Sequence, residues 1–138
     1  MKKILFPLVT IFIISIPAIF PLFYPGFFQS DDGEWMIIRF SAFHQEFRDG
    51  QIPVRFLTRL NFGYGYPVAN FLYPGFMYLA EPIKFIGFGF IDSIKIILGL
   101  SIVGSGIFSF LWLRKLFNPF SAFIGCLFYI YTPYHLFD

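Results

Sequence analysis

Residues 4–23 form twenty consecutive positions without a charge, and residues 93–113 form a second apolar stretch whose one charge, Lys95, lies near its start. About 20 apolar residues in a helix cross the hydrocarbon core of a bilayer. Inside that core every backbone polar group must be satisfied internally, which leaves helices as the natural spanning element. The two runs therefore point to an all-α polytopic membrane protein. Composition agrees: 57% of residues are hydrophobic and 13% charged, against about 25% charged in soluble domains. The net charge is +2 and no basic run is present, which argues against a nucleic-acid partner. A single cysteine, Cys126, provides neither an internal disulfide nor a cysteine metal site.

Charge placement gives an orientation. Lys2 and Lys3 precede the first run, and Arg114 and Lys115 close the second. Basic residues collect on the cytoplasmic side, so both pairs are expected there, with the N-terminus cytoplasmic and residues 24–92 outside. A cleaved signal peptide shares the basic start, but the run at 4–23 is longer than a usual signal core and no A-x-A-like site follows. A third span is expected at 117–134, entered through Asn118-Pro119, because proline is tolerated in a first helical turn. The short link from 113 to 117 makes spans two and three an antiparallel hairpin. Small residues Gly99, Ser101, Gly104, Ser105 and Gly106 give the second span a face that admits close helix approach. The chain ends at Asp138 straight after an apolar segment, and the expectation is a piece of a longer protein.

The loop at 24–92 is not featureless. Met36, Phe40, Phe43 and Phe47 recur at helical spacing, which predicts an amphipathic helix over 33–49, stopped by Asp49-Gly50 and lying flat at the membrane surface. Residues 52–67 hold Gly63, Gly65 and Pro67 among tyrosines and read as an ordered loop of tight turns. Residues 71–90 are apolar, but Pro74, Glu81, Pro82 and Lys84 argue against a span, as does parity. A second juxtamembrane or re-entrant helix is expected there.

Asp31 and Asp32 stand where the chain first leaves the apolar run. Adjacent side chains diverge on a helix, so one carboxylate is free to act as a base or bind a divalent metal while the other orients a neighbour. The structural alternative is capping, since Ser30, Asp31 or Asp32 can accept from the first amides of a helix starting near Gly33. Arg55, Arg59 and Lys84 can hold a phosphate, the arginines through bidentate forks. They serve equally well for attraction to anionic headgroups. His44 has no nearby His or Cys partner and reads as a satisfied interfacial histidine. No Walker loop, GxSxG, HExxH or CxxC pattern occurs.

The order of segments carries a resemblance. An apolar anchor leads into DDGEWMIIRFSAFHQEFRDGQIPVR and then NFGYGYPVANFLYPGFMYL, followed by a lysine-led span and a closing YIYTPYHLFD. This resembles the bacterial membrane proteins called 6-pyruvoyl-tetrahydropterin synthase-related, which lie near the glycosyltransferase-C superfamily of lipid-linked sugar transferases. The stretch 49–75, with GQIPVR, GYGYP and FLYPG, is its most specific part. The resemblance implies an enzyme that moves a sugar from a polyprenyl-phosphate donor at the outer face of the cytoplasmic membrane. It also implies an acidic residue after span one as catalytic base or metal ligand. That role falls on Asp32 first, with Asp31 beside it, where the superfamily often has His-Asp. Arg55, Arg59 or Lys84 would hold the leaving phosphate. Two other classes compete: a transporter or flippase, disfavoured by the uncharged centres of the spans, and a non-catalytic membrane scaffold in which the acidic pair only caps a helix.

Overall fold

A computed structural model describes residues 2–28, 30 and 32–132. The expected site residue Asp31 and the closing PYHLFD segment lie outside the described residues. Among the described residues five α-helices follow in order: α1 (Lys2–Ile19, continued by a 3-10 turn at Phe20–Phe23), α2 (Gly33–Arg48), α3 (Gly75–Phe85), α4 (Phe90–Leu116) and α5 (Pro119–Ile130). Among the described residues no strand forms, and the one extended pairing is an isolated antiparallel bridge between Leu57 and Tyr66. The chain divides into two compact units, one of residues 1–30 with 98–138 and one of residues 31–97.

Two stretches, Phe6–Phe23 and α4, are long and apolar enough to cross a membrane. Only 17% of the first and 11% of the second is buried, whereas the core helix of a soluble protein would be mostly covered. Phe6, Phe108 and Trp112 are 78%, 71% and 62% exposed, and a lipid environment would cover such side chains. The third apolar helix is shorter than expected. At 12 residues, α5 rises about 18 Å, against a hydrocarbon core of about 30 Å.

In the first unit the core is Ile11, Ala18, Phe110, Ala122, Cys126 and Ile130. Gly106 lets three helices meet: a Cβ there would stand 2.7 Å from Ile130 Cδ1 and 3.4 Å from Ile11 Cγ2. Gly125 faces Leu113 and Gly106 faces Ile130, so α4 and α5 run antiparallel. The Cys126 thiol donates to the Gly106 carbonyl at 3.1 Å. The hydroxyls of Thr10, Ser15, Ser105 and Ser109 each donate to a carbonyl one turn earlier, which keeps polar side chains satisfied within apolar helices. Asn118 caps α5 by accepting from Ser121 N at 2.9 Å, with Pro119 in the first turn.

In the second unit, α2 buries Phe40, Ala42 and Phe43. Phe43 meets Tyr78 of α3 edge-on at 4.7 Å, and Phe40 meets Phe90 at 5.6 Å. The apolar stripe of α2 is thus covered by protein, and a flat position on a bilayer through that face does not follow from it. Periodicity showed an apolar face; it did not show what covers the face. Within 71–90 the helix is confined to Gly75–Phe85, starting after Pro74 and accommodating Pro82.

Candidate functional site

The polar chemistry of the second unit gathers around the C-terminal half of α2. Glu46, on the same side as the aromatic stripe, is 6% exposed. Its Oε1 accepts from Thr58 N at 2.9 Å and from the Thr58 hydroxyl, and its Oε2 accepts from Gln51 Nε2 at 3.3 Å. Gln51 Oε1 in turn accepts from the amides of Arg55 and Phe56 at 2.5 and 2.9 Å. These bonds pin residues 51–58 to α2. Glu46 is thus a buried anchor of α2.

His44 and Glu81 form a second buried pair, with Nδ1 2.7 Å from Oε2 and side chains 15% and 3% exposed. The contact uses Nδ1 and leaves Nε2 for another partner. Glu81 Oε1 is buried with no hydrogen-bond partner among the described residues. The imidazole is flanked by the rings of Phe85 and Phe90 at 5.7 and 5.6 Å. His44 is therefore satisfied as expected, but by a carboxylate 37 positions away.

His44 also lines a cleft of about 260 Å³ shared with Ser41, Gln45, Arg48, Asp49, Arg59 and Phe90. The guanidinium of Arg59 donates to the Ser41 hydroxyl, which itself donates to Ile38 O at 2.9 Å. Among the described residues neither Arg48 nor Arg59 lies within ion-pair distance of a carboxylate. Two guanidinium groups and a histidine facing one aspartate make a cleft suited to an anion.

The expected site residues are dispersed. Arg59 lies in the cleft. Lys84 reaches its wall indirectly, with Nζ 4.8 Å from the centroid of the Phe90 ring. Arg55 is exposed and is not among the residues lining the cleft. Asp32 occupies the N-cap position of α2 with its carboxylate exposed and making no capping bond. Nine residues separate Asp32 from Ser41, or about 13 Å along the helix axis. Among the described residues no three His, Cys, Asp or Glu side chains are grouped to hold a metal. Sequence reasoning missed Arg48, Asp49 and Glu81 as site residues. The available signal was Glu81, the one carboxylate of α3. Comparisons with protein-family models, curated proteins and solved structures return no match.

Proposed function

We propose that this protein is a multi-pass membrane glycosyltransferase of the glycosyltransferase-C-like type, related to the 6-pyruvoyl-tetrahydropterin synthase-related membrane proteins. It takes a sugar from a polyprenyl-phosphate donor at the outer face of the cytoplasmic membrane. α1, α4 and α5 carry its membrane segments, with the basic ends of α1 and α4 cytoplasmic and residues 24–92 outside. The observation that supports this most is the basic lining of the cleft, Arg48, Arg59 and His44, in a unit that follows the first membrane-length stretch and takes in the start of the second.

Sugar transfer from a lipid phosphate needs cationic donors on the leaving phosphate and a base for the acceptor's proton. Arg59 and Arg48 serve the first need. Asp32, carried over from the resemblance, serves the second. Because Asp32 and Ser41 stand about 13 Å apart along α2, the two roles are separable by mutation. A transporter would place charges in mid-membrane, whereas the stretch from Phe6 to Phe23 and α4 between Lys95 and Arg114 have none.

The test is sugar release from a radiolabelled polyprenyl-phosphate donor by membranes containing the protein. Asp32→Ala is expected to lower turnover by about 100-fold or more, and Arg59→Gln to raise the donor KM. Full transfer by Asp32→Ala would overturn the assignment of the base. Absence of transfer and of donor binding in the unaltered protein would overturn the enzyme reading.

A further inference from the structure

The segment from Phe56 to Tyr66 is a tight tip that exposes aromatic side chains. Leu57 and Tyr66 exchange backbone hydrogen bonds at 2.9 and 3.0 Å, and Leu60 O accepts from Gly63 N and Gly65 N at 3.2 and 2.9 Å. At the apex Asn61 and Phe62 both adopt left-handed backbone, with φ of 54° and 58°. Asparagine tolerates that region, but for phenylalanine it is an outlier. Gly65, at φ 80°, receives the Phe56 ring so closely that a Cβ would stand 2.2 Å from it. A well-bonded tip thus holds Phe62 in a strained conformation, and Phe62 is 100% exposed. Tyr64, Phe71 and Tyr73 are 84%, 83% and 77% exposed.

Strain that turns a large apolar ring into water is unfavourable twice over and implies a partner surface. Charge narrows the partner: residues 50–80 contain no Asp or Glu, while Arg55 and Arg59 lie just before the apex. Phenylalanine and tyrosine over arginine, without acid, match the boundary between acyl chains and anionic headgroups.

We infer that the Phe62 tip is a lipid wedge, inserting Phe62 and Tyr64 at the headgroup–acyl boundary of a phospholipid bilayer. Arg55 supplies charge for lipid phosphate. The wedge rests on the membrane location of the chain but not on sugar transfer.

The test places the full chain in vesicles of phosphatidylcholine and phosphatidylglycerol. A probe carrying Trp35→Phe, Trp112→Phe and Phe62→Trp is quenched with lipids brominated near the headgroup. The tryptophan introduced at position 62 is expected to lose about half its emission, and to be shielded from aqueous acrylamide. Tyr64→Trp in the same background reads the same tip if the first variant folds poorly. Trp112, kept alone through Trp35→Phe, reports on α4. Unquenched emission at positions 62 and 64 overturns the wedge in every case. If Trp112 is quenched in the same vesicles, the chain is in the bilayer and the tip alone has failed. If Trp112 is silent as well, the membrane reading fails with it. A blue-shifted but bromine-insensitive probe means protein, not lipid, covers the tip, and also overturns the proposal.

Discussion

Replacing His44 by leucine removes the one partner, among the described residues, of a carboxylate that is 3% exposed. Glu81 would then be buried with both oxygens unpaired, since Oε1 already has no partner among the described residues. Removing one partner of a buried carboxylate pair costs up to about 3–5 kcal/mol. The lower end applies here, because His44 is 15% exposed and the cleft can admit water: about 3 kcal/mol, roughly a hundredfold in the opening equilibrium. Glu81→Leu acts differently. It strands one imidazole nitrogen beside a cleft, costing about 1 kcal/mol. It also removes an orphan oxygen and adds apolar burial, which offsets about the same amount. The double variant should sit near the unaltered protein, giving a coupling of about 3 kcal/mol. Amide exchange of the α2 and α3 backbone in detergent micelles measures this locally, with guanidinium unfolding followed by circular dichroism as the global check. Equal losses for the two single variants, or additive losses in the double, would refute the reasoning.

Gly106→Leu should destabilise α4–α5 packing by about 1–3 kcal/mol through overpacking against Ile130. Gly104→Ala, where a Cβ meets nothing within 4 Å, should gain up to about 1 kcal/mol of helix propensity; thermal unfolding in detergent compares the pair. Glu46→Ala releases the bonds to Thr58 and Gln51, so trypsin should cut after Arg55 and Arg59 about tenfold faster, with an unchanged rate counting against the anchor. Asn118→Ala removes the cap of α5 and should cost about 1 kcal/mol, read as faster amide exchange at Ser121.

The helical periods were legible in the chain. The spacing of Met36, Phe40, Phe43 and Phe47 marks α2, and Asp49-Gly50 marks its end, where Gly50 takes a φ of 91°. Asn118-Pro119 announces the start of α5 for the physical reason observed, a capped first turn. Partnership was not legible. Periodicity shows that a face is apolar without saying whether lipid or α3 covers it. Glu81 argued against a span at 71–90, but nothing in the sequence showed that it would be buried against His44 of α2. The roles expected of Asp32, Arg55, Arg59 and Lys84 rested on the resemblance and on residue chemistry, neither of which carries geometry. Along α2, eight residues lie between Asp32 and the Ser41 that meets Arg59.

Cys126 is the chain's one cysteine, and its thiol is held shut against the Gly106 carbonyl. Reagents reach it only when α5 lifts from α4, so the labelling rate with a membrane-permeant maleimide times that event without any engineered probe. A thiol introduced elsewhere on the surface would react first and could be dyed selectively beside it. The same sulfur that packs the helix pair therefore serves as a stopwatch for its opening.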